Sequence, residues 1–154
     1  MSGEISFRDY RSIDLEKIFR LDEACFGEEF RFDRESMRRF AGSRGAITLL
    51  AEGAGGQLIG FVIVQVQGPA NASYGYVVTL DVSPDHRRRG VGKNLVNEIE
   101  TRARLAGAAW MGLHVFPKND GAIRFYERQG YRRVGNETDF YGRNRDAWVY
   151  RKEL

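Results

Sequence analysis

Three arginines stand directly before a pair of glycines and a long amphipathic segment, since residues 87–92 read RRRGVG and KNLVNEIETRARLAG follows. Arginine provides positive charge and fork-shaped donors that suit phosphate oxygens. Glycines let an anion approach the backbone, and a helix N-terminus offers unpaired N–H groups and a partial positive charge. The stretch therefore favours a site for a phosphorylated ligand, with a solvated basic patch or a nucleic-acid contact as alternatives.

The spacing of these residues excludes two common nucleotide-binding motifs. The pattern GxxxxGK[ST] of a P-loop is absent. A dinucleotide-binding fingerprint would need a third glycine and an acidic partner for the ribose, and the stretch has neither. A phosphate site here would thus belong to another class of protein.

Hydrophobic periodicity predicts the elements that position this stretch, in a single mixed α/β domain over residues 1–154. Strands are expected at residues 4–10, 46–52, 58–67, 74–82, 109–115, 131–135 and 146–154. One helix is expected after a cap at Asp14, with Leu15, Ile18, Phe19 and Phe26 on its apolar side. Others should begin near Asp33, at Val91 and at Asp120, and the third should stop by Gly107.

Composition excludes several function classes. The formal net charge of +3 is not the polybasic signature of an obligate nucleic-acid binder. No apolar run approaches the roughly 18 residues that span a bilayer, and MSGEISFRDY lacks the apolar region of a signal peptide, so neither membrane insertion nor secretion is expected. The single cysteine, Cys25, favours a reducing, cytoplasmic setting and a structural role. His86 and His114 lack partners at ligand spacing, so no metal site is predicted.

Two segments carry a family resemblance. VSPDHRRRGVGKNL resembles the (R/Q)xxGx(G/A) acetyl-CoA signature of the GCN5-related N-acetyltransferases (GNAT), with Arg87, Gly90 and Gly92 in its fixed positions. HVFPKNDGAIRFYERQGYRRVG resembles the second cofactor segment of that family, in which an Asn precedes a helix and a Tyr lies near its end. The resemblance implies the GNAT fold, with a mostly antiparallel sheet of six to seven strands splayed at strands 4 and 5, and about four helices.

The resemblance implies that acetyl-CoA lies between the strand ending at Val82 and the strand ending near Val115. The cofactor contacts that it implies are Leu80, Asp81, Val82, Arg87, Arg88, Arg89, Gly90, Val91, Gly92, Lys93, Asn119 and Tyr126. Tyr126 matches the general acid of the family, and a phenol of pKa about 10 is suited to protonate a leaving thiolate of about 8.5. On the residues alone, Asn119 is equally a helix N-cap and Tyr126 a core aromatic.

A second catalytic group must accept a proton from the attacking amine. LHV at 113–115 and YVVTL at 76–80 resemble N-terminal acetyltransferases in which a Tyr and a His hold a relaying water, so Tyr76 and His114 become the candidate pair. The bacterial enzymes that acetylate ribosomal proteins usually have Glu at the position of His114. Histidine suits the task because its pKa of about 6.5 lies near working pH. The alternative is a strand histidine without a catalytic role.

The acceptor site is expected between two loops. FYGRNRDAWVYRKEL resembles the aromatic loop on which these enzymes carry a Tyr, here Tyr141, that grips the first peptide bonds. Phe26 and Phe30 of CFGEEFRF would complete an apolar slot, and Glu28 or Glu29 would attract a cationic amine. Those acids are alternatively solvated loop charges.

The resemblance implies an acetyl-CoA-dependent N-acetyltransferase that transfers acetyl directly to the N-terminal α-amino group of a protein or peptide, as ribosomal-protein-alanine acetyltransferases do. The alternative within enzymes is a small-molecule amine or lysine acetyltransferase, because loops on one fold change the substrate. A non-catalytic acyl-CoA-binding module and a nucleic-acid-binding module are the alternatives from other classes, and the sequence leaves the oligomeric state open.

Overall fold

Residues 4–154, the residues described by this computed structural model, form seven β-strands and four α-helices. The strands are β1 (Ser6–Asp9), β2 (Ala46–Glu52), β3 (Leu58–Gln67), β4 (Tyr74–Val82), β5 (Trp110–Val115), β6 (Arg132–Glu137) and β7 (Ala147–Glu153). The α-helices are α1 (Leu15–Cys25), α2 (Arg34–Gly42), α3 (Val91–Leu105) and α4 (Asp120–Arg128). This element order confirms the mixed α/β prediction, although residues 1–3 of the predicted domain lie outside the described residues.

The two predicted caps have different outcomes. Asp33 caps α2, since its carboxylate accepts a hydrogen bond from the Ser36 N–H at 2.7 Å. Asp14 precedes α1 without capping it, because its carboxylate instead accepts hydrogen bonds from the Arg8 guanidinium at 2.7 and 2.8 Å and from the Arg11 N–H at 2.8 Å. Phe26, expected on the apolar side of this helix, lies directly after its last residue.

The sheet has the strand order β1-β2-β3-β4-β5-β7-β6. Neighbouring strands are antiparallel except β4 and β5, which run parallel and pair only through Gly75 with Met111 and Tyr76 with Gly112. Beyond these pairs the two strands separate as they run on to Val82 and Val115. The seven-stranded sheet and the splay between β4 and β5 are therefore as the resemblance implies.

A β-bulge in β4 changes which face of the sheet its later residues occupy. Val64 pairs with Val77 and Ile63 with Thr79, so that Val78 is an extra residue on β4. Val77 packs in the core beside α3, whereas the side chain of Asp81, four residues later, meets α1. Without the bulge, positions an even number of residues apart would share one face.

Each face of the sheet has its own hydrophobic core. Leu95 and Ile99 of α3 pack with Met111 and Leu113 of β5 on one face. Ile18 of α1 and Met37 of α2 pack with Phe61 and Ile63 of β3 on the other. Helices therefore cover both faces of the sheet. None of the helices within residues 4–154 has the length and apolar character that crossing a membrane requires.

Candidate active site

One cavity of about 1970 Å³ passes between the separated ends of β4 and β5. Its wall includes the start of α3 at one end and aromatic side chains of two loops at the other. Residues from both predicted cofactor segments therefore line the same space as the predicted acceptor residues.

The loop between β4 and α3 brings the first turn of α3 to the cavity. Arg88 and Gly90 have φ angles of 64° and 81°, and Gly90 precedes α3 without a side chain that caps the helix. Glycine adopts this left-handed conformation at little cost, unlike residues with a Cβ. Val91, Gly92 and Lys93 line the cavity, so the N–H groups of this turn are placed to bind an anion.

Gly92 keeps the backbone of this turn accessible. A Cβ there would lie 3.3 Å from the Phe125 ring and 3.6 Å from the Val82 side chain. Arg88 and Lys93 add positive charge to the same end of the cavity. Space and charge together suit a phosphate group close to the backbone.

Two expected cofactor contacts, Arg89 and Asp81, lie outside the cavity lining, whereas Arg87 lies in it and has a second role. Arg87 donates from Nε to the Val82 carbonyl at 3.1 Å, so it also braces the end of β4. Arg89 is exposed and lies outside the cavity lining, because successive side chains of a turn point in different directions. The side chain of Asp81 is buried and faces Asp22 instead of the cavity. The other expected contacts in the lining are Leu80, Val82, Asn119 and Tyr126.

Asn119 has the capping role that was its alternative assignment. Its Oδ1 accepts a hydrogen bond from the Ala122 N–H at 3.2 Å at the start of α4. Because Asn119 also lines the cavity, its amide remains within reach of a ligand there. The cofactor contact therefore stays a prediction beside an established structural role.

Tyr126 projects from α4 into the middle of the cavity wall. Its ring packs against those of Phe125 and Tyr131, with centroid distances of 5.2 and 5.6 Å. Burial raises the pKa of the phenol above its usual range. Tyr126 therefore remains protonated at neutral pH, which is the state that an acid requires.

Cys25 also reaches the cavity. Its thiol donates to the Val82 carbonyl at 3.3 Å. Burial raises the pKa of the thiol to about 11, so the side chain is not ionised at neutral pH. An un-ionised thiol is a poor nucleophile, which agrees with the expected structural role.

Tyr76 and His114, predicted as a pair, are in contact across the strand gap. The Tyr76 hydroxyl lies 2.7 Å from His114 Nδ1, and His114 Nε2 lies 3.1 Å from Glu137 Oε1. The Glu137 carboxylate can only accept, so the hydrogen of a neutral imidazole lies on Nε2, and Nδ1 then accepts from the Tyr76 hydroxyl. The Phe140 ring stacks on the imidazole with a centroid distance of 3.8 Å.

Sequence reasoning missed Glu137 and Phe140. Their contact with His114 depends on two strand pairings. His114 on β5 pairs with Val149 on β7, and β7 in turn pairs with β6. No short motif reports that pairing. Only the order of the strands at this edge of the sheet, β5-β7-β6, would have indicated these two residues, and hydrophobic periodicity does not determine that order.

Aromatic rings close the opposite end of the cavity. Phe30 and Tyr141, both predicted, have ring centroids 5.2 Å apart, and Phe116, which was not predicted, lies 5.2 Å from Phe30 and 5.7 Å from Tyr141. Phe26 lines the cavity near them. These side chains form an apolar slot.

The acidic residues of this loop divide between the cavity and the solvent. Glu28 is corrected to a surface residue, since its side chain is 89% exposed, lies outside the cavity lining and pairs with Arg31 at 3.6 Å. Glu29 lines the cavity and pairs at 2.9 Å with Arg145, whose guanidinium lies over the Phe30 ring. The ion pair joins the loop after α1 to the loop between β6 and β7.

The fold and motifs have counterparts among known proteins. The catalytic subunit NAA20 of the Arabidopsis thaliana N-terminal acetyltransferase B complex is 31% identical over 106 residues, which are 68% of this chain and 61% of that protein. The chain thus matches less than two thirds of that relative's length.

Solved structures share nearly the whole fold. The ribosomal-protein-S18-alanine N-acetyltransferase from Escherichia coli superposes with a TM-score of 0.83 at 19% identity, over 98% of this chain and 94% of that one. Arabidopsis thaliana NAA60 in complex with a bisubstrate analogue superposes with a TM-score of 0.82 at 24% identity, over 97% of this chain and 98% of that one.

The model of the Acetyltransferase (GNAT) family matches residues 15–131, which contain the first segment of the resemblance whole and the second as far as Tyr131. Since residues 15–131 are most of the chain, the protein belongs to the GNAT family of acetyltransferases.

Proposed function

We propose that the protein is an acetyl-CoA-dependent N-acetyltransferase that acetylates the N-terminal α-amino group of a protein or peptide. The observation that carries the proposal is the continuous cavity between β4 and β5, which joins the first turn of α3 to the Tyr76–His114 pair. Family membership and the 31% identical N-terminal acetyltransferase subunit support the same chemistry.

The residues at the α3 end fit the phosphates and pantetheine arm of acetyl-CoA. N–H groups of the first turn would hold the pyrophosphate, with Arg88 and Lys93 neutralising its charge. The edge of β4 beyond Tyr76 is not paired with β5 and would hydrogen-bond the extended arm. Bound there, acetyl-CoA supplies the activated acetyl group to the centre of the cavity.

Two protons must move for the acetyl group to change carriers. Tyr126, a protonated phenol in the wall of the cavity, donates one to the sulfur that leaves. Tyr76 accepts the proton of the amine, directly or through a water, and passes its own to His114 Nδ1 at 2.7 Å. Glu137 at Nε2 then stabilises the imidazolium. No covalent enzyme intermediate is needed.

The walls of the acceptor end support a peptide N-terminus as the acceptor. The slot formed by Phe30, Phe116 and Tyr141 would take the first side chain, because apolar surface is buried there. Glu29 is held by Arg145 and is therefore not a free partner for a cationic amine. Apolar contact, rather than an acidic residue of this loop, would select the acceptor.

The test is a thiol-release assay with acetyl-CoA and a panel of amines. The panel contains short peptides with free Ala, Ser or Met N-termini, their blocked counterparts, internal-lysine peptides and a polyamine. We expect release only with free peptide N-termini. Release with lysine or polyamine alone would overturn the acceptor in favour of a lysine or small-molecule enzyme, and acetyl-CoA binding without any release would indicate a non-catalytic module.

Replacing Tyr76 tests the proton relay. Tyr76→Phe removes the hydroxyl that contacts His114, and kcat should fall on the order of 100-fold, the usual contribution of general base catalysis. The KM for acetyl-CoA should stay within about threefold of the parent value, because the hydroxyl is not part of the anion site at the first turn of α3. Both constants follow from thiol-release kinetics with the preferred peptide.

Tyr74→Phe is the matched control, because the Tyr74 hydroxyl lies on the same strand but binds Gln67 Oε1 at 2.9 Å. It should keep the parent kcat. Equal rates for the Tyr76 variant and this control would remove Tyr76 from the relay.

A further inference from the structure

Two buried carboxyl groups face each other behind the cavity. Asp22 of α1 and Asp81 of β4 are each 1% exposed, and their carboxyl groups lie close enough to shift each other's pKa. Asp22 Oδ2 accepts the Phe32 N–H at 2.8 Å, and Asp81 Oδ1 accepts the Thr79 hydroxyl at 2.6 Å. The remaining oxygens, Asp22 Oδ1 and Asp81 Oδ2, are buried and have no hydrogen-bond partner among residues 4–154.

A proton between these two unpartnered oxygens would give each of them a hydrogen bond. Two ionised carboxylates offer only acceptors, and their charges repel strongly in a site that water does not reach. Burial raises the pKa of Asp22 and, to a greater extent, that of Asp81, where the carboxylate of Asp22 adds to the effect. The backbone N–H at Asp22 favours the anion there, so the proton belongs on Asp81.

The surrounding groups do not replace this proton. Facing Asp22 are Arg31 and Glu23, and facing Asp81 are Thr79, Arg87, Cys25 and Tyr126. Arg31 is paired with Glu28 at 3.6 Å. Arg87 donates to the Val82 carbonyl at 3.1 Å. Both cations are therefore engaged elsewhere, and neither forms a close ion pair that would neutralise the two carboxylates.

The pair lies where charge matters for acetyl transfer. Tyr126, the proposed acid, lies near enough to Asp81 for an ionised carboxylate to raise the pKa of its phenol. Cys25, one turn after Asp22, donates to the carbonyl of Val82, the residue after Asp81. A negative charge on Asp81 would oppose both proton donation by Tyr126 and the negative charge that develops on the leaving sulfur.

We propose that Asp22 and Asp81 share one proton at working pH, and that this proton, held on Asp81, keeps negative charge away from the thioester end of the cavity while joining α1 to β4. Neither carboxyl group touches the reacting atoms, so both are positioning residues that act through Tyr126. The catalytic half of this inference rests on the proposed acetyl transfer, and the shared proton itself does not.

Two isosteric variants separate the position of the charge from the contact. In Asp81→Asn the amide donates to Asp22, so one negative charge stays on α1 at every pH. In Asp22→Asn the amide donates to Asp81, so the charge moves beside Tyr126. Each variant keeps a hydrogen bond between the two side chains, and each removes the need for a shared proton.

Thermal unfolding between pH 5 and 8 tests the proton without any acetyl acceptor. A raised pKa in the folded state contributes stability that is full below the unfolded value of about 4 and is lost as pH rises. The Tm of the wild type should therefore fall relative to that of Asp81→Asn by about 3 °C for each pH unit. A constant Tm difference would mean that the contact is only structural, and would overturn the proposal.

Turnover tests the position of the charge. At pH 7.5 Asp81→Asn should retain kcat within about threefold of the wild type, whereas Asp22→Asn should lose on the order of tenfold more, with the KM for acetyl-CoA unchanged. Equal kcat values for the two variants would overturn the catalytic half. If the wild type acetylates no amine, both the proposed function and the catalytic half of this inference fail. The Tm comparison still decides whether Asp22 and Asp81 share a proton.

Discussion

Gly92→Glu is expected to abolish acetyl-CoA binding, with a loss of affinity of more than about 100-fold, or about 2.7 kcal/mol. The new Cβ would meet the Phe125 ring at 3.3 Å, and the carboxylate would stand in the first turn of α3, where phosphate is expected. Two negative charges would then compete for the same N–H groups. Isothermal titration of the purified variant with acetyl-CoA measures the loss directly.

Two companion variants identify the cause of that loss. Gly92→Ala adds the Cβ without the charge and should weaken binding by less than about tenfold, because the Phe125 ring must shift by only a few tenths of an ångström. Gly42→Glu, at the end of α2, places the same side chain where a Cβ meets nothing within 4 Å, and should bind acetyl-CoA normally. Affinity within about threefold of the parent in Gly92→Glu would place the phosphates elsewhere.

The parts of the site that could be predicted from the sequence are those in which local chemistry determines geometry. Gly90 and Gly92 sit where a strand gives way to a helix, and the structure places that helix start in the cavity. Tyr76 and His114 were paired by two short segments of resemblance, and their side chains meet at 2.7 Å. In both cases a few adjacent residues carry the information.

Contacts that depend on distant pairing could not be predicted. Asp14 has the sequence signature of a helix cap, but Arg8 on β1 competes for its carboxylate at 2.7 Å. Asp81 meets Asp22 only because the bulge at Val78 turns the end of β4 towards α1. Periodicity read along the strand would place Asp81 on the opposite face.

The acceptor walls show the same limit. Phe30 and Tyr141 were expected to meet because each lies on a loop that the family uses for its substrate. Which of Glu28 and Glu29 faces the cavity depends on the turn between α1 and α2 and on Arg145, more than one hundred residues away. Adjacent acids in a loop carry no pattern that separates the inward side chain from the outward one.

Tyr126→Phe should lower kcat on the order of 100-fold, or about 2.7 kcal/mol, while the affinity for acetyl-CoA changes by less than about threefold. The hydroxyl would be removed from the place where the leaving sulfur needs a proton, and the ring would keep its packing against Phe125 and Tyr131. A loss confined to kcat and kcat/KM identifies an interaction made in the transition state rather than in binding. Steady-state thiol release and titration with acetyl-CoA provide the two numbers.

Tyr150→Phe is the matched control, since the Tyr150 hydroxyl is bonded to Glu127 Oε2 at 2.9 Å, outside the cavity lining. That variant should lose about 1 kcal/mol of unfolding free energy with its hydrogen bond and keep kcat. Retention of full turnover by Tyr126→Phe would make Tyr126 a core aromatic, the alternative that its helix position allows. The acid would then be another donor in the cavity wall. Cys25 is one such donor, since its thiol has a pKa of about 11 and lies at the end of β4.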